Sequence, residues 1–411
     1  RRELATLLAL AAVQFTHIVD FMIMMPLGSQ LMREFAITPA QFTHLVASYA
    51  LAAAISGLVG GFFLDRYDRK RALLVLYAGF AIATLACGLA PTHHALMAAR
   101  CAAGAFGGLS ASMITAMVGD IIPPQRRGRA MSTVMGAFPL ASVLGVPVGL
   151  VLAERYGWHG PFFLLAGSGA AVWVMGTMVL PHLRTAVRHA APWRQMKDIV
   201  THRIHVRAFA LGATLIMAGA CLIPFIAPSM VANMGLTEKE LPWAYAVGGI
   251  CTFFSMPLVG RLSDRVDKLG LLAWMSAAAI VVTLVLTRLG PTSLGVACAI
   301  MALFMVTMSS RFAPAMTMVT NAVEARYRGG FMSVNSALQQ AASGFASLIA
   351  GLFVTADSSG HLVGFPTLGY VSVGFFVLAV LLAAQLRIAA PHVSAPAGKI
   401  AVAAPAPEVA A

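Results

Sequence analysis

Gly61-Phe62-Phe63-Leu64-Asp65-Arg66-Tyr67-Asp68-Arg69-Lys70-Arg71 is a charged turn set between two long apolar runs. It returns in altered form, half a chain-length later, as Gly260-Arg261-Leu262-Ser263-Asp264-Arg265-Val266-Asp267-Lys268. A second echo falls at nearly the same offset: Arg127-Gly128-Arg129-Ala130-Met131-Ser132 and Arg328-Gly329-Gly330-Phe331-Met332-Ser333. Two matches at one offset mark the chain as a duplication, with its charged turns built twice.

The runs around these turns are hydrophobic enough to need lipid. Of 411 residues, 59% are hydrophobic and 10% charged, with a mean hydropathy of +0.83. A soluble domain carries more charge than this to coat its surface. The net charge of +13 is broken into short clusters between apolar runs, whereas a nucleic-acid face would be continuous. A nucleic-acid partner is therefore excluded, and the bilayer is the expected surrounding. The five cysteines (Cys87, Cys101, Cys221, Cys251, Cys298) lie inside apolar runs with neither metal-ligand nor disulfide spacing. Arg1-Arg2 followed by the apolar stretch from Leu4 to Leu27 is too long for a cleaved signal core and reads as a retained anchor.

A spanning helix needs about 20 apolar residues. Twelve such stretches are expected, at 4–32, 41–64, 71–90, 94–119, 129–152, 160–181, 204–232, 241–262, 269–288, 293–320, 330–355 and 364–387. Pro224 and Pro228 predict a kink or discontinuity in the seventh. The fold class is thus an all-α membrane protein of twelve transmembrane helices in two pseudo-symmetric six-helix bundles. Residues 1–181 form the N-terminal half and 204–387 the C-terminal half. Between them 182–203 is a linker with Arg184, Arg188, Trp193, Arg194, Lys197 and Arg203, amphipathic at the membrane surface. The Ala/Pro-rich tail 388–411 is expected to be disordered. Most of the 28 Lys and Arg fall on the side of the two termini, which places both termini in the cytoplasm of a bacterial inner membrane.

These residues resemble the major facilitator superfamily over the whole length except the tail. The first turn is similar to that family's GxxxDRxGRR/K motif at Gly61, Asp65, Arg66, Arg69 and Lys70, with Asp68 standing where Gly is usual. Arg100 and Gly104 resemble the RxxxG core of its fourth-helix motif, with Ala103 for the usual Gln. Gly136, Gly145, Pro147 and Gly149 are similar to the Gly/Pro motif in the fifth helix of its proton-driven antiporters, with Val146 set between Gly145 and Pro147. The run into Trp158 looks like the drug:proton antiporter, arabinose-efflux-permease-like branch. The resemblance implies a cytoplasmic gate. Asp65, at the end of the second helix, meets the positive N-terminal end of the eleventh near Gly329. Arg69 pairs with Asp120, and the mirrored set is Asp264, Lys268 and Glu324, aimed at the start of the fifth helix near Gly128. The same charges also serve to fix topology and loop structure alone, and that alternative stays open.

Chemistry is expected elsewhere. Asp20 lies ~24 Å along the first helix from Leu4, between the midplane and the outer leaflet. A carboxylate at that depth must be protonated, paired or in a wet cavity. It is the one acid left deep in a span once Asp65, Asp120, Asp264 and Glu324 are assigned to cytoplasmic ends, which makes it the candidate proton carrier. His17, one turn away, is placed to share or tune that proton. Arg100 enters the fourth helix at a similar depth and needs an acid, carbonyls or water as partner. Arg311, lower in the tenth, either lines the cavity or reaches for headgroups. Gln14 and Tyr49 offer hydrogen bonds to substrate. Met24 and Met217, with Met22, Met25, Met305 and Met308, are expected to give a polarizable lining that adapts to apolar ligands, though ordinary packing accounts for most methionines. Gly57-xxx-Gly61 and Gly104-xxx-Gly108 are close-packing seams.

Parallel repeats handle substrate near the midplane between halves. The expected function is proton-coupled export of a small amphiphile or sugar by a monomer working through alternating access. An uptake symporter or uniporter for a polar metabolite is the alternative, and a non-transporting sensor on the same fold is a third. The sequence has no phosphate-binding loop, HExxH or GxSxG, so no enzyme, cofactor or metal site is expected.

Overall fold

A computed structural model describes residues 2–63, 67–123, 126–183, 192–324, 327–358 and 360–394. Twelve helices cross the bilayer in two six-helix bundles. Helix 1 is Arg2–Ile23 continued by Gly28–Glu34, helix 2 Pro39–Phe63, helix 3 Arg69–Gly88 and helix 4 His93–Ile121. Helix 5 comprises Arg127–Met135, Ala137–Leu140, a π-helical turn at Ala141–Gly145 and Val146–Tyr156, and helix 6 is His159–Val179. In the second half, helix 7 is Arg203–Ala220 continued by Ile223–Ala232, helix 8 Leu241–Arg265 and helix 9 Lys268–Leu286. Helix 10 is Leu294–Ser310 continued by Phe312–Asn321, helix 11 Arg328–Phe353 and helix 12 Phe365–Ala389. A short helix, Pro192–Thr201, lies between the halves in sequence. A two-residue ladder pairs Thr355 with Val363 and Ala356 with Leu362 ahead of helix 12. Among the described residues, eleven helices are long and apolar enough to span. Helix 11 has the length, 26 residues, but carries Asn335, Gln339, Gln340 and Ser343 through its middle.

The expected interruption of helix 7 is present, at Cys221–Leu222, just before Pro224. Helix 1 breaks at the matching place in the first half, between Ile23 and Gly28 around Pro26, whose ring removes a backbone donor from the ladder. The outer pieces of the two broken helices meet: a Cβ on Gly28 would fall 2.9 Å from both Phe42 and Pro228. Helix 12 runs past the expected boundary to Ala389. Pro391–Ser394 then forms a 3₁₀ turn with Val393 buried, so order extends into the segment assigned to the tail. Residues 395–411, and Asp65 and Arg66 of the gate, lie outside the described residues.

Apolar packing between the halves is concentrated at one face, opposite the chain termini. There a single cluster draws Met24, Leu27, Leu31 and Phe42 from one half and Leu222, Phe225, Met230 and Val354 from the other. Toward the terminal face two further clusters form, each within one half. One holds Leu7, Leu73, Met117 and Ile122, and the other Phe209, Leu272, Met318 and Leu386, with Ile199 docked on it. Small residues set the close inter-half contacts. Gly351 would place a Cβ 2.2 Å from Thr43 Oγ1, and Gly249 one 2.8 Å from the Ser142 carbonyl within the π turn.

Ion pairs cross at the same face. Glu238, in the turn before helix 8, takes Arg33 in an ion pair and accepts from Gln30 Nε2 at 2.9 Å, while Lys239 Nζ stands 3.6 Å from Glu154. These residues line a cavity of about 500 Å³ together with Trp158 and Thr237.

Candidate functional site

Helices 1 and 4 bring the two deep charges of the first half together. Arg100 Nη1 donates to Asp20 Oδ2 at 2.7 Å and to the Asp20 backbone carbonyl at 3.3 Å. Thr84 of helix 3 donates to Asp20 Oδ1 at 3.4 Å. Both side chains are essentially inaccessible, 1% and 0% exposed for Arg100 and Asp20. The guanidinium also lies over the Tyr49 ring, 4.4 Å from its centroid, so helix 2 closes the site with a cation–π contact. The glycine seam makes this approach possible. A Cβ at Gly104 would sit 2.2 Å from the Tyr49 carbonyl, and one at Gly108 2.4 Å from that of Ala53. On the other side of helix 1, Gly145 and Gly149 admit Val19 and Ile23 at distances where a Cβ would fall at 2.3 and 2.6 Å. Helix 5 therefore presses directly against the residues flanking Asp20.

His17 does not join this pair. Its imidazole packs edge-on to Phe80 and Tyr77, centroids 4.1 and 5.6 Å away, and neither ring nitrogen has a hydrogen-bond partner. Asp20 turns toward Thr84 on the same helix 3, one turn nearer the opposite face. Spacing of three residues puts both on one face of helix 1, but the rings of helix 3 take the imidazole. The Tyr77 hydroxyl is shared instead with Thr16, at 2.9 Å.

The other expected cavity residues separate. Gln14 is half-buried. Tyr49 is 4% exposed and committed to Arg100, so it is a wall of the ion pair and not a free donor. Met24 is fully buried in the inter-half cluster, while Met217 packs on its edge with Met305 and Met308. Arg311 does not reach for headgroups: it is buried at the break in helix 10, over the Phe376 ring of helix 12.

At the terminal face, Arg69 Nε pairs with Asp120 Oδ2 at 3.0 Å, as the resemblance implied. Gly61 lies in the last turn of helix 2. Asp264 and Glu324 are exposed and Lys268 is buried at the start of helix 9. Asp68 has a plain role that its departure from the motif had obscured. It caps helix 3, accepting from the Arg71 N–H at 3.0 Å, and Asp267 caps helix 9 in the same way from Gly270 at 2.8 Å. Partial burial pushes the Asp68 carboxyl up, but the Arg71 N–H and the His182 imidazole at 3.2 Å outweigh it and hold the group below its usual range. A short side chain that caps is the repeat's solution in both halves.

The sequence matches the family description Major Facilitator Superfamily in two consecutive stretches, 10–213 and 208–408, one per bundle. The chain belongs to the Major Facilitator Superfamily. Proteins of this superfamily are transporters and not enzymes. Among curated relatives, the chain is 26% identical to the MFS-type transporter YceJ of Bacillus subtilis (strain 168), over 62% of this chain and 65% of that protein, just under two thirds. It is 25% identical to the chloramphenicol efflux pump Rv0191 of Mycobacterium tuberculosis, over 67% of each. It is 26% identical to the tetracenomycin C resistance and export protein of Streptomyces glaucescens, over 62% of this chain and 48% of that one. The fold is similar to that of a bacterial homologue of the lysosomal transporter Spinster, solved inward-facing and occupied. The TM-score is 0.75 at 16% identity, covering 95% of this chain and 97% of the other. The D-xylose–proton symporter superposes with a TM-score of 0.74 at 16% identity, over 93% and 97%.

Proposed function

We propose that this superfamily member exports a small amphipathic organic molecule across a bacterial inner membrane in exchange for protons, as a monomer, with both termini in the cytoplasm. The observation that carries the proton coupling is the Asp20–Arg100 pair, sealed from solvent at the level where helix 1 breaks. An ion pair desolvated this completely has two states of comparable free energy only if a proton can replace the arginine's hold on the carboxylate. The efflux direction is supported by the chloramphenicol and tetracenomycin C relatives, and the fifth-helix glycines at Val19 and Ile23 tie helix 5 to the same pair.

In the cycle this implies, the halves part at the face opposite the termini, the cluster around Met24 and Phe225 opens, and Asp20 takes a proton from that side. Closing that face and parting the other releases the proton and admits substrate. Gln14 and Met217 border the path. Asp65, Arg66 and the Arg69–Asp120 pair, with Asp264, Lys268 and Glu324 in the second half, close the terminal face in turn. Proteoliposome flux tests this. With chloramphenicol and, separately, 2-naphthoate as probes, acid on the side opposite the termini should drive export of at least one of them from wild type. Asp20→Asn should show no gradient-driven flux while remaining folded in the membrane. Import under that gradient would mean a symporter, and gradient-driven export by Asp20→Asn would remove the proton role.

A further inference from the structure

The second half holds a buried cation, Arg311, that no acid among the described residues neutralises. Helix 10 is interrupted at Arg311, between Leu294–Ser310 and Phe312–Asn321 and three residues before Pro314. The side chain is 1% exposed. Its guanidinium carbon lies 4.2 Å from the Phe376 ring centroid and Nη2 faces Met308 Sδ at 3.1 Å, while Nε and Nη1 have no hydrogen-bond partner. Among the described residues no Asp or Glu comes within ion-pair distance. The two halves thus each bury one arginine on an aromatic ring, Arg100 on Tyr49 and Arg311 on Phe376, but only the first has an Asp20. Arginine cannot shed its proton to escape this, and a ring face with a thioether satisfies only part of it.

The place of Arg311 in the fold says what would supply the counter-charge. Met308, one turn away, packs both on the inter-half cluster and on the small cluster of Ala218, Ala279 and Phe376. Its sulfur would lie 3.5 Å from a Cβ on Gly219, in the last turn before the break in helix 7. Arg311 therefore sits just on the terminal side of the apolar seal, where helices 7 and 10 are both interrupted. Interrupted helices near the midplane are where transporters of this build engage substrate. The surroundings are apolar and polarizable, with Met217, Met305 and Met308 packed on the seal's edge.

We infer that Arg311 anchors the negatively charged head of the substrate, and that the substrate class is an amphipathic organic anion, a carboxylate on an apolar or aromatic body. This deepens the transport function proposed above and rests on it only for the word substrate. A simple inorganic anion would satisfy the charge but leave the methionine and phenylalanine lining without purpose.

Thermal unfolding of the purified full chain tests the inference without any proton gradient, so it decides this point whether or not export is proton-coupled. The probes are benzoate, octanoate and 2-naphthoate, each against its neutral amide at constant chloride. In wild type at least one carboxylate should raise the midpoint by roughly 1–2 °C for each tenfold rise in its concentration above Kd while its amide does not. Arg311→Gln should lose the shift and Arg311→Lys keep part of it. Met308→Glu, which sets a carboxylate one turn from the guanidinium, should raise the midpoint without ligand and abolish the response. The inference falls if amides act as well as carboxylates, if none of the three carboxylates shifts wild type, or if Arg311→Gln or Met308→Glu responds as wild type does. Should Arg311→Gln fail to fold, the Lys and Met308→Glu variants still decide.

Discussion

At the scale of single residues, the question for Asp20 and Arg100 is whether the pair serves stability or coupling. A desolvated ion pair is a weak stabiliser relative to neutral groups of the same shape, yet breaking it from one side costs about 3–5 kcal/mol because a bare charge stays behind. Arg100→Gln should therefore lower thermal stability most at high pH, where Asp20 stays charged with only Thr84 at 3.4 Å, and less in acid, where a proton neutralises it. Asp20→Asn should cost less, because the guanidinium retains the Tyr49 ring and the backbone carbonyl of residue 20. The double variant should recover most of the stability of wild type while carrying no gradient-driven flux. Recovery of both would mean the pair is packing alone. A double variant no more stable than Arg100→Gln would mean the hydrogen-bond geometry matters more than the charge. Unfolding midpoints with flux on the same preparations separate these outcomes. Asp20 and Arg100 were legible in the sequence as two deep charges at a similar depth, each needing a partner, but not as partners of one another, because depth along a helix does not say which faces meet. His17 was misread because spacing gives a face of helix 1 but not which rings of helix 3 press on it.

At the scale of elements, the terminal turns are held by caps that the sequence pattern disguised. Asp68 breaks the family motif and Asp267 repeats the break, and each accepts a backbone N–H at the start of its helix. Replacing either by Ala should cost about 1 kcal/mol, and the two losses should add, since the caps lie in separate halves. Because the folded Asp68 carboxyl is held low by the Arg71 N–H and His182, its contribution is complete above the ordinary carboxylate range and is lost as pH falls through it. Unfolding midpoints of wild type and Asp68→Ala should accordingly converge in acid and differ near neutrality. The twelve helices were legible because a bilayer demands about 20 apolar residues per crossing, and helix 11, though polar at Asn335 and Gln339, reads as the stretch 330–355 on the same ground. What escaped was local. The break of helix 1 falls at Met24–Leu27, where Pro26 is a breaker signal hidden inside an apolar run long enough to pass as one span. The π turn at Ala141–Gly145 has no signature beyond glycines that also suit ordinary close packing.

At the scale of the molecule, the two halves share an apolar seal and a set of ion pairs at one face, and these bias the same equilibrium. The seal is the larger contribution, burying Phe42, Phe225, Leu222 and Met230 completely. The pairs of Glu238 with Arg33 and Gln30, and of Lys239 with Glu154, are partly exposed and contribute at most about 1 kcal/mol each. That is small against folding but enough to move a two-state balance several-fold. Both pairs join one half to the other, so they exist only while this face is shut. Glu238→Lys turns an attraction with Arg33 into a repulsion and should populate the form open at this face. Lys239→Glu should do the same against Glu154. In a background without the five native cysteines, Met234→Cys, 1% exposed behind the clasp, reports the opening. Its labelling rate should rise about fivefold in Glu238→Lys and by a comparable factor in Lys239→Glu. Labelling that stays at the wild-type rate would assign the whole of the closed state to the apolar seal. A rise in Glu238→Lys that Lys239→Glu cannot match would mean that the Glu238 contacts with Arg33 and Gln30 hold this face nearly alone.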